Sequence, residues 1–217
     1  GFVEKYGLKV NRDVVFDMRQ NQVLTVPSNL GNVPRRFPYF PRVGSSENKI
    51  SGGVPSVVMP WGSSMEEIPT YTPSIDVDIT RLLETSKFAG VDTEHKNLAL
   101  DSPRLLDVPD DELATRLMAA AITGTRCPTD NDNCEKDPSK VFRIIVVSDA
   151  DWAADGMVSQ FPEHLPLTVN WIDWLTQDDA LATIRSKRST VRPLVFNSVR
   201  HRNLVQYSNI AGVPLII

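Results

Sequence analysis

Two segments of this chain carry the clearest strand patterns. Between residues 75 and 85, apolar positions alternate with Asp76, Asp78 and Thr80, which predicts a strand with one solvent-facing side. The run from Phe142 to Val147 is apolar except for one arginine, which is typical of a strand covered on both faces. Shorter strands are predicted over 8–16, 54–60, 182–185, 191–196 and 203–208.

Helical patterns are fewer. Residues 167–176 place Trp171, Trp174 and Leu175 on one face, which Ile172 extends, and this predicts an amphipathic helix. The first residues, up to Tyr6, are typical of a last helical turn capped by a glycine at position 7.

Residues 113–124 fit two patterns. Acidic residues precede an alanine-rich run, as at the start of a helix, yet 118–123 could equally be a buried strand. Periodicity leaves both open.

Prolines and polar residues interrupt the rest. In 27–53, repeated prolines favour an extended, polyproline-like segment held to the body by Phe37, Tyr39 and Phe40. Residues 86–112 are polar and are predicted to be irregular.

The segment from 141 to 188 decides the predicted fold class. A buried strand runs into an acidic turn and then a tryptophan-rich helix, which is one unit of an α/β sheet with a loop at the carboxyl end of the strand. Asp149, Asp151 and Trp152 in that loop are candidates for contact with a ligand or partner. The two aspartates could bind magnesium, but capping and starting the following helix explains both.

No catalytic motif accompanies this loop. The chain lacks the Gly-x-Ser-x-Gly elbow of α/β hydrolases, and its two cysteines lie in a polar loop instead of an elbow. Glycine-rich phosphate-binding motifs are also missing. We therefore expect no enzyme activity, no cofactor and no metal site.

Charge is unevenly distributed. From position 185 onward there are six cations and no carboxylates, so the net charge of −4 leaves −4 − 6 = −10 on residues 1–184. Arg185, Lys187 and Arg188 begin a basic tail that could face anionic lipid or an acidic partner. The acidic body argues against nucleic-acid binding. Cys127 and Cys134 bracket a polar hexapeptide that suits a small disulfide loop and an oxidising compartment.

Several short motifs, in order, resemble those of gliding-motility-type ABC transporter accessory proteins, which are substrate-binding-like auxiliary components. The resemblance covers most of the chain, although Ser148 stands where glycine is more usual. The segments that carry it are 4–11 with 14–17, 37–41, 57–64, 83–86, 146–152, 170–175 and 184–187.

The resemblance implies an α/β domain similar to the Rossmann-like, class I glutamine-amidotransferase fold, without its catalytic cysteine. Residues 1–217 would form a single extracytoplasmic domain, the C-terminal part of a larger one, with a membrane-proximal basic tail from about 185. It favours the strand interpretation of 113–124 and implies a membrane helix beginning around Val213 and lying outside this fragment.

The expected function is a non-enzymatic, periplasmic, membrane-anchored accessory subunit of an export or gliding-motility complex. Its partners would be an ABC permease and ATPase. The alternative is a module that binds an envelope glycan or a peptide near Asp149 and Trp152.

Overall fold

The computed structural model describes residues 1–28, 31–45, 50–51, 53–69, 75–94, 108–126 and 141–176. The described residues contain two α-helices, α1 (Asp155–Gln160) and α2 (His164–Leu175). The strands are β1 (Leu8–Val10), β2 (Val14–Asp17), β3 (Asn21–Ser28), β4 (Gly31–Ser45), β5 (Ser56–Val58), β6 (Met65–Glu67), β7 (Ile75–Glu84), β8 (Ala89–Asp92), β9 (Leu117–Arg126) and β10 (Val141–Val147). Short 3-10 turns occupy Glu4–Tyr6 and Asp110–Glu112.

The predicted α/β, Rossmann-like fold is wrong, because the chain forms a β-rich sandwich. Each strand pair among the described residues is antiparallel. Parallel strands need long crossovers, usually helical, whereas both α-helices described here follow the last strand. The amidotransferase-like layered sheet is excluded on the same ground.

Strand β9 organises the larger, eight-stranded sheet. It pairs along one edge with β7, and along the other with β10 and, at Leu117, with β6. The sheet continues from β7 to β4 and β3, and from β6 to β1. Residues 113–124, for which helix and strand were both open, therefore contribute the central strand.

Within 27–53, the described residues 31–45 are extended, as the prolines predict, but they form a strand of the sheet instead of a polyproline-like segment. Strands β3 and β4 form a hairpin that extends from Ser28 opposite Gly31 to Asn21 opposite Pro41. Its register shifts between Asn21 and Gln22, and a proline in a strand is tolerated where it need not donate to the ladder. The predicted anchoring is confirmed, since three aromatic side chains of β4 are buried: Phe37, Tyr39 and Phe40.

Other strand predictions need smaller corrections. The single strand predicted over 8–16 divides into β1, in the large sheet, and β2, which pairs with β8 in a second sheet. Strand β8 also falls inside 86–112, which was expected to be irregular. Strand β10 is confirmed, but its residues from 142 to 147 are only half-buried, so the prediction of cover on both faces is wrong.

The main hydrophobic core lies between the large sheet and α2. Val43, Leu82 and Met118 of the sheet belong to the same buried cluster as Leu167 and Trp171 of α2. The predicted helix 167–176 is thus confirmed. Its predicted face is partly wrong, because Ile172 is 52% and Leu175 39% exposed. The remaining strand predictions, 182–185, 191–196 and 203–208, lie outside the described residues.

Candidate functional site

Four of the motif segments, 14–17, 57–64, 83–86 and 146–152, contribute to two groups of hydrogen-bonded polar residues at the two ends of β2, which we together call the polar junction: Asp13, Asp17, Ser63, Ser64, Ser86 and Ser148. Its first contact joins the start of β2 to the loop after β5. The Asp13 carboxylate accepts hydrogen bonds from the Ser64 amide at 2.8 Å and the Ser64 hydroxyl at 2.5 Å. The Ser63 hydroxyl donates to the Asp13 carbonyl at 2.8 Å. Asp13 and Ser64 are only 6% and 4% exposed.

Asp17, at the end of β2, supplies the second contact. Its carboxylate is fully buried and accepts from the backbone amides of Arg19 at 2.8 Å and Gln20 at 2.7 Å. Its other oxygen accepts from the Ser86 amide at 3.0 Å. One side chain therefore shapes the turn from β2 to β3 and fixes it to the chain leaving β7.

Ser148, at the end of β10, closes the junction. Its carbonyl accepts from the Ser63 amide at 3.0 Å, and its hydroxyl donates to the Met118 carbonyl at 2.9 Å. Beside it, Trp61 has a positive φ of 51° and is 45% exposed. The Trp61 ring packs edge-on against Phe40, with 4.6 Å between centroids.

The polar junction is unsuited to nucleophilic chemistry. The Ser64 hydroxyl pairs with a carboxylate, and it also accepts from the Asn11 amide group at 3.1 Å. Both members of the pair are buried, and among the described residues the contacts of the hydroxyl include no histidine base. Within the described ranges, no group of three or more His, Cys, Asp or Glu residues could hold a metal.

Asp149 and Asp151 form a local turn and do not cap a helix. The Asp149 carboxylate accepts from the Asp151 amide at 2.8 Å. Helix α1 begins later, at Asp155, with Ala154 at the N-cap and no side-chain cap, so the capping interpretation is wrong. Burial raises the pKa of Asp149, although the bond from the Asp151 amide acts against this. Its second carboxylate oxygen is buried without a hydrogen-bond partner in the described structure.

Trp152 lies inside the protein. It is 5% exposed, its indole N–H donates to the Thr168 hydroxyl at 2.9 Å, and its ring stacks on His164 with centroids 4.2 Å apart. Trp171 stacks beside it at 5.1 Å. The other candidates, Cys127, Cys134, Arg185, Lys187 and Arg188, lie outside the described residues.

Sequence reasoning missed His164, whose ring is fully buried at the start of α2. Its Nε2 lies 2.7 Å from the Val58 carbonyl, and its Nδ1 lies 3.0 Å from the Trp152 carbonyl. Both distances are within hydrogen-bonding range, and the tautomer decides which ring nitrogen donates. The ring therefore ties α2 to β5 and to the loop after β10. Three histidines scattered along the sequence give no signal of this.

Helix α2 leaves an apolar face toward solvent. Leu165 is 54% exposed, Ile172 52% and Leu175 39%. Val169, which lies between Leu165 and Ile172 in the sequence, is half-buried. We call these four residues the outer α2 face.

Comparison with known proteins identifies a family for this chain. Residues 1–174 match the model of a family described as an ABC-type uncharacterized transport system. No curated protein and no solved structure gave a significant match. In the described residues, no helix is both long and apolar enough to cross a bilayer.

Proposed function

We propose a function from the premise that this chain belongs to the family of ABC-type transport-system proteins. An accessory role in such a system follows from the family. We further infer that the chain is a non-enzymatic subunit that acts through contacts with an ABC permease and ATPase, in an export or gliding-motility complex.

The polar junction carries the non-enzymatic part of the proposal. Its motif residues hold the turns and strand ends together: Ser64, in the loop after β5, binds Asp13 just before β2, and Asp17 binds the chain after β7. Buried, hydrogen-bonded polar groups of this kind specify a fold. A motif used in this way needs no substrate to explain it.

The location is proposed from the sequence. The spacing of Cys127 and Cys134 suits an oxidising compartment, and the cationic stretch from Arg185 suits the neighbourhood of a membrane surface. We place the domain at the periplasmic face of the inner membrane, anchored by a helix outside this fragment. Intact mass with and without reductant tests the placement, and free thiols in protein isolated under alkylating conditions would contradict it.

The function itself is tested by purifying the full-length protein from native membranes in mild detergent and identifying what accompanies it. We expect an ABC permease and its ATPase in amounts comparable to the protein. The control is a second, unrelated ABC complex that stays assembled in the same extract. If that control is intact and the protein elutes alone, the accessory-subunit function is wrong, and the glycan- or peptide-binding alternative is favoured.

A further inference from the structure

Helix α2 buries polar residues beside the apolar Leu167 and Trp171, and it also exposes an apolar face. The residues that it turns inward include three polar ones, His164, Asn170 and Asp173, all at most 9% exposed. The outer α2 face holds apolar residues at the helical spacing i, i+4, i+7 and i+10. A helix on the surface of a soluble domain ordinarily shows the opposite arrangement, with polar residues outward.

The inward polar residues fix the orientation of this helix. His164 contacts the Val58 carbonyl at 2.7 Å, and the Asn170 side-chain amide donates to the Ser51 carbonyl at 3.3 Å. Rotation of α2 about its axis would break these bonds and leave buried carbonyls unpaired. The outer α2 face is therefore a fixed feature of the surface, and contiguous exposed apolar surface marks an interaction site.

Charge around this face selects the kind of partner. The described residues 144–176 contain five carboxylates and neither lysine nor arginine, and Arg143, just before them, donates to the Trp174 carbonyl at the end of α2. Asp151 and Asp155 are exposed, and Glu163, just before α2, forms an ion pair with Arg42 at 3.6 Å. Anionic lipid headgroups would be repelled by such surroundings, whereas lysine and arginine on a protein would be attracted.

We propose that the outer α2 face docks onto another subunit of the transport system, through an apolar patch on that subunit rimmed by lysine and arginine. This inference rests on the proposed function and names the surface through which it operates. The apolar contact supplies affinity, and the acidic surroundings select a basic rim.

The first test is site-specific photo-crosslinking in native membranes. A benzophenone side chain replaces Ile172 in the full-length protein, and in a matched control it replaces Val23, which is 48% exposed on β3. We expect position 172 alone to crosslink to another transport subunit, at an apolar segment flanked by basic residues. A crosslink only to lipid, only to a second copy of this chain, or none at all would overturn the proposal.

The second test uses paired substitutions. Leu165→Ser with Ile172→Ser is compared with Val23→Ser with Val33→Ser, whose side chains are 48% and 37% exposed on the β3–β4 hairpin. Loss of two buried aliphatic contacts should lower partner recovery at least about tenfold. The hairpin pair should leave recovery unchanged, and both proteins should keep the wild-type melting temperature, since all four side chains are exposed.

Two outcomes separate this inference from the proposed function. If wild type recovers the permease and ATPase, and the α2 variant recovers them equally, the docking surface is wrong while the function stands. If the wild-type protein recovers neither the permease nor the ATPase, both the docking surface and the proposed function are wrong. Raising the salt concentration should also weaken wild-type recovery, because it screens the acidic surroundings from a basic rim.

Discussion

Replacing Asp17 should reveal how much of the fold depends on one buried carboxylate. The side chain accepts three backbone N–H groups, from Arg19, Gln20 and Ser86, at 2.7–3.0 Å and is 0% exposed. In Asp17→Ala all three donors lose their acceptor. A hydrogen bond to a charged group contributes about 1.5–3 kcal/mol, and water entering the site would restore part of this. We expect the free energy of unfolding to fall by about 3–5 kcal/mol.

Asp17→Asn separates the contribution of the Ser86 hydrogen bond from those of the Arg19 and Gln20 hydrogen bonds. The asparagine oxygen can still accept from Arg19 and Gln20, but its amide group would face the Ser86 N–H, so one contact becomes repulsive. This variant should lose about 1–3 kcal/mol, less than the alanine variant. Asp78→Ala, at an exposed site on β7, is the control and should change stability by less than about 0.5 kcal/mol.

Urea denaturation followed by tryptophan fluorescence measures all three variants. The reasoning requires the order Asp17→Ala, then Asp17→Asn, then Asp78→Ala in loss of stability. A loss below about 1 kcal/mol for Asp17→Ala would refute it, since three buried donors would then have been left unpaired at almost no cost.

Three further predictions test separate contacts, the first with a control substitution. Gly124→Ala should lower the free energy of unfolding, measured by urea denaturation, by about 1–3 kcal/mol, because a Cβ there would lie 2.4 Å from the Phe142 ring. The control Gly156→Ala, in α1, places its Cβ in open space and should be neutral or stabilising in the same assay. His164→Ala should cost about 2–4 kcal/mol in urea denaturation by removing its ring stacking and both carbonyl contacts, and unchanged stability would contradict that role. Asp149→Asn should be more stable than wild type at neutral pH. Burial raises the pKa of the Asp149 carboxyl, so the stability that its protonated form gives the native state is lost as pH rises through that pKa. The difference between the two proteins should therefore shrink on acidification, and a constant difference from pH 4 to 8 would be evidence against this reasoning.

Local patterns predicted individual strands better than their arrangement. The alternation at 75–85 and the apolar run at 142–147 correspond to β7 and β10. Alternation of apolar and polar residues indicates that a segment is extended, but it predicts neither the neighbouring strand nor the direction of pairing. An α/β sheet was inferred because β10 precedes helices, yet β10 pairs antiparallel with β9, from Val141 opposite Thr125 to Val147 opposite Ala119.

Tertiary contacts overrode local propensity in two other segments. The alanine-rich run of β9 has the composition of a helix, but Met118 to Ile122 are fully buried between neighbouring strands. The proline-rich segment looks unsuitable for a sheet, yet Pro34 and Pro41 lie in β4 opposite Thr25 and Asn21. Neither fact can be read from the segment itself.

The candidate site shows the same limit. An aspartate that forms a local turn and one that caps a helix have the same sequence signal, so Asp149 was assigned to a helix that begins six residues later, at Asp155. The exposed apolar face of α2 was also missed, because periodicity placed Leu175 and Ile172 on the side that faces the core. The polar junction, built from segments as distant as 13 and 148, needed the fold to become visible.

The pairing order of the strands also has a consequence for biosynthesis. Leu8 pairs with Glu67, and Val14 pairs with Asp92. Strands β1 and β2 therefore cannot pair until residues some 60–80 positions later have been synthesised. The central strand β9 is completed only at Arg126, and the core is covered only after Trp171 has been added. Contacts this distant in sequence form slowly. While residues 8–171 are being made, the nascent chain therefore carries unpaired strands, and its yield should depend on chaperones that shield exposed β-edges until α2 is complete.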